Sequence, residues 1–284
     1  MSVGALVAAR DAFAARRPEE RVRVRGRLWG VTDTGGAGPV LLLLPGTLGR
    51  GDIFWQQIAA LEGRVRVIAV SYPGAPDLLA WVGDLMRLLD RWGVGEVAIL
   101  GSSLGGYLAQ LIAGREPERL THLVAANTLS ATEGIATRGP YAHDLDRVRI
   151  GVIRANFARS LAAWEAAHPD QAGLVALLLA EARGRITAKQ LRARLAALKG
   201  APPLPPNLLP PERSTVIEAD DDPLVPPEVR AATRAAVGPG ITFRFTHGGH
   251  FPYVVRPALY TAAIEAALGL GPGMGWSEGV VRTP

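Results

Sequence analysis

One serine of this sequence has the surroundings that a nucleophilic serine requires. Ser103 lies at the centre of Gly-Ser-Ser-Leu-Gly (101–105), directly after an apolar run at 97–100 and directly before a helix-like stretch. A strand, a sharp turn and a helix in that order hold a serine hydroxyl clear of the sheet, and glycines two residues to either side relieve the crowding of the turn. Because this glycine spacing is centred on position 103, Ser103 is preferred over Ser102 as a nucleophile for acyl transfer.

A base for such a serine is expected near the end of the chain. His250 lies in His-Gly-Gly-His-Phe-Pro (247–252), shortly after an apolar run at 241–245. The two glycines let the backbone bend so that a side chain can reach back over the edge of a sheet. His250 is therefore the candidate general base, and His247 remains the alternative.

The acid that would orient this histidine is expected among three consecutive aspartates. They follow the apolar run 215–217, and the third, Asp222, is followed by Pro223 and then by Pro226, where a helix can open. Such an acid fixes the histidine tautomer and stabilises the imidazolium, so the site needs a carboxylate. Asp222 is preferred, and Asp220 and Asp221 remain open.

Acyl transfer also needs N–H donors for the negative charge that develops on the substrate oxygen. The backbone N–H of Leu104, the residue after the nucleophile, is one candidate. A second is the N–H of Thr47 in Leu-Pro-Gly-Thr-Leu-Gly (44–49), which follows the apolar run 40–44. The same six residues are also compatible with an ordinary glycine-rich turn.

These residues must be positioned by the elements that precede and follow them. Short apolar runs alternate with helix-like stretches, which predicts an α/β fold with a mainly parallel sheet and helices on both faces. A leading hairpin is expected at 21–31. The later strands are expected at 40–44, 65–70, 97–100, 122–126, 215–217 and 241–245.

The alternation stops between residues 128 and 213, where apolar residues recur at helical spacing instead. Helices are expected there around 150–164, 174–179 and 191–198. The pattern predicts a helical cap at 128–213, inserted after the sixth strand of a core formed by 1–127 and 214–268. The Gly- and Pro-rich segment 269–284 is expected to be poorly ordered.

Composition narrows the classes of function. Absence of cysteine excludes disulfides and thiolate metal sites and suits a cytoplasmic location. The net charge of +5 comes from scattered arginines, with Lys189 and Lys199 as the only lysines, so no nucleic-acid partner is expected.

The charge-free stretch 97–114 divides into a strand, a turn and a helix, so no membrane span is expected. Charged residues such as Arg10 and Asp11 interrupt any secretory signal.

Several motifs carry a family resemblance. They are 44–47 (Leu-Pro-Gly-Thr), 52–57 (Asp-Ile-Phe-Trp-Gln-Gln), 71–73 (Ser-Tyr-Pro), 101–110 (Gly-Ser-Ser-Leu-Gly-Gly-Tyr-Leu-Ala-Gln) and 248–253 (Gly-Gly-His-Phe-Pro-Tyr). Together they resemble the α/β-hydrolase fold superfamily, and within it the maspardin-type proteins, from about residue 22 to 268 and weakly across the cap. The resemblance implies the order serine, acid, histidine, which Ser103, Asp222 and His250 follow. Maspardins are regarded as binding or trafficking proteins with altered acid and histidine positions, a pattern from which this sequence departs.

The expected function is a carboxylesterase-like serine hydrolase that cleaves a small ester, thioester or lactone through an acyl-enzyme on Ser103. A maspardin-like binding or scaffold role, C–C bond hydrolysis and acyl transfer are the alternatives. No cofactor or metal is expected, and the substrate is expected to be a partly apolar small molecule. Four apolar residues of the cap either line a pocket beneath it or pack against the core: Phe157, Trp164, Leu174 and Leu178.

Overall fold

The computed structural model describes residues 3–284, and its first strands form the expected hairpin. Strand β1 (Glu20–Val24) pairs antiparallel with β2 (Arg27–Asp33). The two residues between them, Arg25 and Gly26, have positive φ angles of 45° and 81°. Two-residue hairpin turns favour positive φ because the resulting twist matches that of the flanking strands.

The hairpin extends a mainly parallel sheet. Its further strands are β3 (Val40–Leu44), β4 (Arg66–Ser71), β5 (Val97–Ser102), β6 (Leu120–Ala126), β7 (Ser214–Ala219), β8 (Ile241–Phe245) and β9 (Val281–Arg282). Over residues 3–284 the nine strands lie in the order β1-β2-β4-β3-β5-β6-β7-β8-β9. Strand β2 is antiparallel to β4, and every pairing from β4 to β9 is parallel. The fold class predicted from the sequence is confirmed.

Helices connect the strands. They are α1 (Ala5–Arg16), α2 (Trp55–Leu61), α3 (Leu78–Arg91), α4 (Leu104–Arg115), α5 (Ile150–Ala167), α6 (Ala172–Ala180), α7 (Ala188–Lys199), α8 (Pro227–Val237), α9 (Pro252–Val255) and α10 (Pro257–Ala267). Within the described part of the chain, none of them has the length and apolar character needed to cross a membrane.

Both faces of the sheet are covered, and strand β3 shows how. Successive side chains of a strand point to opposite faces. Leu41 and Leu43 accordingly join the core beneath α2 and α10, whereas Leu42 and Leu44 join the core beneath α3 and α4. All four are buried, which explains why a continuous apolar run, rather than an alternating one, encodes this strand.

Residues 128–213, here called the helical insertion, lie between β6 and β7 and contain α5, α6 and α7. The insertion therefore follows the sixth strand, as predicted. Its Glu181 forms ion pairs with Arg10 of α1 and with Arg185, which also pairs with Asp52 of the core. Glu181 and Arg10 are almost fully buried, so removal of the Glu181 carboxylate would leave the Arg10 charge without its buried partner, which is strongly destabilising.

The segment after Gly269 differs from the expectation of poor order. Trp276 packs its ring 5.0 Å from that of Phe243 and 4.7 Å from that of Phe245, measured between ring centroids. Its indole N–H donates to the Leu259 carbonyl over 2.9 Å, and β9 pairs with β8. Composition did not predict this order, because the segment is rich in glycine. Its single tryptophan provides apolar contact, and the otherwise open edge of β8 provides hydrogen bonds.

Candidate active site

Ser103 occupies the sharp turn between β5 and α4. Its φ of 56° and ψ of −118° fall in a region that non-glycine residues rarely adopt and that tends to occur at functional sites. A Cβ on Gly101 would lie 2.0 Å from the Gly105 carbonyl oxygen, and a Cβ on Gly105 would lie 2.0 Å from that of Leu44. The two glycines are therefore a steric requirement of this turn.

The turn separates the two neighbouring serines. Ser102 is the last residue of β5 and is 1% exposed, whereas Ser103 is only partly buried. The Ser103 backbone is tied down by its N–H, which donates to the Ala126 carbonyl, and by its carbonyl, which accepts from the Thr128 hydroxyl. The strand–turn–helix geometry thus favours Ser103 as the side chain presented for reaction.

His250 and Asp222 form a buried pair. The His250 Nδ1 lies 2.8 Å from Oδ2 and 3.0 Å from Oδ1 of Asp222. A carboxylate only accepts hydrogen bonds, so Nδ1 carries the proton and Nε2 is left as the acceptor of the neutral ring. This is the tautomer that a general base acting through Nε2 requires.

The Asp222 carboxylate has several donors besides His250. It accepts from the Asn127 amide over 3.0 Å and from the backbone N–H groups of Leu224 and Val225 over 2.9 and 3.2 Å. Burial by itself would raise the pKa of Asp222, but the His250 charge and these hydrogen bonds outweigh it and hold the pKa below its ordinary value. Asp222 is consequently ionised at neutral pH.

The neighbouring candidates have other partners. Asp220 pairs with Arg230 and Arg244. Asp221 accepts the N–H groups of Gly248 and Gly249, at 2.8 to 3.1 Å, and so shapes the loop that carries His250. His247 is exposed. Of the three aspartates, the structure therefore brings Asp222 together with His250.

The 45–49 loop lies against the serine turn. A Cβ on Gly46 would be 3.2 Å from the Ser103 Cβ, so the loop approaches closely at a residue without a side chain. The Thr47 N–H makes no hydrogen bond within residues 3–284. Leu104 begins α4, and the N–H groups of a helix's first turn have no intrahelical acceptor. Both amides predicted as oxyanion donors are thus available, and a helix N-terminus favours negative charge.

A cavity of about 710 Å³ connects these groups. Ser103, His250 and Thr47 lie on its wall, and Asp222 lies behind His250. Its apolar lining includes Phe157, Leu161, Trp164, Leu174 and Leu178 of the helical insertion, with Phe251 and Tyr253 of the core. Four of these residues, Phe157, Trp164, Leu174 and Leu178, were expected either to line a pocket or to pack against the core. They line this cavity.

The Ser103 hydroxyl forms no hydrogen bond to His250 among the contacts of residues 3–284. Such bonds often shorten only when substrate is bound.

The sequence did not point to Asn127, which follows β6 with a positive φ of 42° and donates to both Asp222 and the Gly249 carbonyl. Asparagine tolerates this conformation better than most residues, but a single asparagine after a strand is not a distinctive signal.

Comparison with known proteins places this architecture in a family. A family model described as the alpha/beta hydrolase family matches residues 41–263. The match covers well over half of the chain, and the chain belongs to the alpha/beta hydrolase family.

Particular relatives share parts of the sequence. Maspardin of Rattus norvegicus is 38% identical over 114 residues, which are 37% of this chain and 42% of that protein. Maspardin of Danio rerio is 34% identical over 131 residues, which are 42% of this chain and 41% of that protein. The chain thus matches about two fifths of the length of these curated relatives, so their whole-protein properties do not transfer to it directly.

Among solved structures, a hydrolase from Pseudomonas aeruginosa PA01 is similar with a TM-score of 0.73 at 21% identity, covering 89% of this chain and 98% of that one. At this identity, the likeness concerns the fold alone.

Proposed function

We propose that this chain is a carboxylesterase-like serine hydrolase that cleaves a small ester, thioester or lactone through an acyl-enzyme on Ser103. The observation that carries the proposal is the 2.8 Å contact between His250 Nδ1 and Asp222 beside the cavity that Ser103 also lines. An imidazole oriented by a carboxylate, next to a serine held on a strained turn, is the arrangement that acyl transfer uses.

In the acylation step, the Ser103 oxygen attacks the substrate carbonyl carbon while His250 Nε2 takes the hydroxyl proton. The carbonyl oxygen becomes an oxyanion that accepts from the N–H groups of Thr47 and Leu104. When the oxyanion collapses, the bond to the leaving oxygen or sulfur breaks, and the leaving group takes the proton from His250. Asp222 stabilises the imidazolium that exists in between.

In the deacylation step, water takes the place of the leaving group. The water oxygen attacks the acyl carbon while His250 accepts a proton from the water. The N–H groups of Thr47 and Leu104 hold the second oxyanion. Collapse breaks the bond to the Ser103 oxygen, which recovers its proton from His250. The carboxylic acid leaves, and the enzyme is restored without any external oxidant, reductant or cofactor.

The substrate in this proposal is partly apolar, because the cavity wall that faces Ser103 is built mainly from aliphatic and aromatic side chains. We further propose that residues 128–213 act as a cap over a core of 1–127 and 214–268, and that the protein works in the cytoplasm.

Covalent labelling with a fluorophosphonate probe, followed by peptide mapping, tests the nucleophile. We expect an adduct on Ser103 that disappears in Ser103→Ala and in His250→Ala and persists in the neighbouring control Ser102→Ala. Turnover of p-nitrophenyl esters of increasing chain length should fall at least about 10⁴-fold in Ser103→Ala. A folded wild-type protein that neither takes up the probe nor turns over any ester of the series would overturn the hydrolase proposal.

The similarity to maspardins favours one second candidate, a binding or scaffold function that keeps the pocket without turnover. It predicts saturable binding of a protein partner that Ser103→Ala leaves unchanged, together with no probe adduct on the wild type. The labelling experiment therefore separates the two candidates.

A further inference from the structure

The 45–49 loop is held from behind by two side chains. The Tyr72 hydroxyl, from the core, donates to the Pro45 carbonyl over 2.8 Å. Arg194, from α7 of the helical insertion, donates through Nη1 to the carbonyls of Thr47 and Gly49 over 3.0 and 2.6 Å. One core residue and one residue of the insertion thus bind three carbonyls of a five-residue loop.

These bonds determine where the loop's amides point. The peptide group is planar, and its N–H points opposite to its C=O. The Gly46 carbonyl accepts the Gly49 N–H over 3.2 Å, which orients the peptide that carries the Thr47 N–H. Arg194 holds the carbonyl of Thr47, within that turn, and the carbonyl of Gly49, at its end. Restraining both leaves the Thr47 N–H little freedom to rotate.

Burying Arg194 in this place is costly. The side chain is fully buried, and its Nε and Nη2 have no hydrogen-bond partner within residues 3–284. Burial lowers the pKa of Arg194 to about 10. Its carbonyl acceptors and the Tyr72 ring, 5.4 Å from the guanidinium carbon, are neutral. An apolar side chain of similar size would avoid this desolvation penalty, so core packing alone does not account for an arginine here.

We propose that Arg194 is a positioning residue for the oxyanion donor: from the helical insertion, it fixes the 45–49 loop so that the Thr47 N–H faces the oxygen of the reacting carbonyl. The inference rests on the proposed hydrolase function. It assigns the insertion a part in the chemistry, in addition to enclosing the cavity.

The test compares two arginines of the same helix. Arg192 also lies on α7 and also donates to two carbonyls, but these belong to Leu145 and Val148 of the insertion itself. Each methionine variant therefore removes two hydrogen bonds from an arginine to backbone carbonyls. Arg194→Met removes them from the 45–49 loop, and Arg192→Met removes them from the insertion. The measurement is kcat and KM for a p-nitrophenyl ester, at a temperature well below the unfolding midpoint of each variant, with active sites counted by fluorophosphonate titration.

We expect Arg194→Met to lower kcat by roughly 10- to 100-fold, the scale of a misplaced oxyanion donor. KM should stay within about threefold, and the pH profile should be unchanged, because His250 and Asp222 are untouched. Arg194→Lys, which can keep one donated bond, should recover part of kcat. Arg192→Met should keep kcat within about threefold of the wild type, even where both methionine variants lose thermal stability.

A kcat for Arg194→Met within about threefold of the wild type, or an equal loss in both methionine variants, would overturn the inference while leaving the hydrolase proposal intact. If Arg194→Met does not fold, Arg194→Lys decides: a lower kcat at unchanged KM supports the positioning role, and an unchanged kcat refutes it. If the folded wild-type protein forms no fluorophosphonate adduct and turns over no ester, both the hydrolase proposal and the positioning role of Arg194 are refuted.

Discussion

The two halves of the candidate active site are built in different ways. In the half formed by the α/β core, the acid and the histidine are held by directed polar contacts: His250 contacts Asp222, and Asp222 in turn accepts from Asn127. In the half formed by the helical insertion, the cavity wall combines apolar side chains such as Phe157 and Trp164 with polar residues such as Asn156. Apart from Arg194 and from Thr128, whose hydroxyl donates to the Ser103 carbonyl, the insertion contributes mainly the shape of this wall.

The difference follows from the physics of the two regions. Directed polar contacts need fixed backbone turns, and the core provides them at the carboxyl ends of its parallel strands, where ligands of α/β sheets bind. Apolar contacts need only area and volume, and helices of many sequences can supply these. A change in the core half should therefore abolish the reaction, whereas a change in the insertion half should alter which substrate is accepted.

Among the tests of this comparison between the two halves, the largest effect is expected from Asp222→Asn. Asparagine has nearly the same size but lacks the charge that stabilises the imidazolium and fixes the histidine tautomer. We expect kcat for an ester to fall by roughly 10³- to 10⁴-fold with little change in KM. Asp220→Asn is the matched control, because Asp220 pairs with Arg230 and Arg244 instead. Equal losses in the two variants, or activity of Asp222→Asn within about tenfold of the wild type, would contradict the assignment.

A second prediction concerns the stability of the core half. His122 of β6 contacts the Thr215 hydroxyl of β7 over 2.9 Å and so links the two strands that precede Asn127 and Asp222. Burial, assisted by the nearby Arg213 charge, lowers the pKa of His122 from 6.5 to about 4. Between these pH values the unfolded chain binds a proton that the folded chain does not. The stability present above pH 6.5 is therefore lost as the pH falls towards 4.

The loss amounts to about 3 kcal/mol of unfolding free energy for this one group. Urea denaturation at several pH values from 7 to 4 measures it, by linear extrapolation at each pH. His122→Gln keeps a hydrogen-bonding side chain without titrating in this range, so its unfolding free energy should fall less steeply. His247→Gln, at an exposed histidine, is the control for removal of one histidine, and its unfolding free energy should fall more steeply than that of His122→Gln. Equal slopes in wild type and His122→Gln would refute the prediction.

The same contrast explains what the sequence could predict. The elbow at Ser103 was predictable because two steric requirements, at Gly101 and Gly105, leave a short local signature. The parallel sheet was predictable from runs such as Val40–Leu44, whose two buried faces demand continuous apolar residues. Asp222 and His250 could be chosen because each follows an apolar run that forms a strand, and the structure brings the two side chains into contact.

Other features depend on contacts between residues far apart in the chain. Arg194 and the Thr47 carbonyl are separated by 147 positions, and Asn127 and Asp222 by 95. Neither pairing has a local spacing that a sequence pattern could reveal. The tail was misjudged for a similar reason, because the ring of Trp276 packs on β8, whose sequence does not show that its edge is open.

The smallest expected effect tests the insertion half through Trp164. Its indole N–H donates to Gln171 over 3.0 Å, and its ring lies over the loop of His250, where a Cβ on Gly249 would be 3.8 Å from it. Trp164→Ala enlarges the cavity beside the reacting groups, so the ratio of kcat/KM for long-chain to short-chain p-nitrophenyl esters should rise by about tenfold. The labelling rate of Ser103 by a small fluorophosphonate should stay within about threefold of the wild type.

Val152→Ala is the matched control for Trp164→Ala, because Val152 is an exposed residue of the same helix α5 and should leave the chain-length ratio unchanged. If Trp164→Ala instead lowers activity equally for all chain lengths and slows labelling in proportion, the insertion half contributes to the chemistry through this residue as well. The functional difference between the two halves would then not hold for Trp164, whose ring lies over the loop of His250.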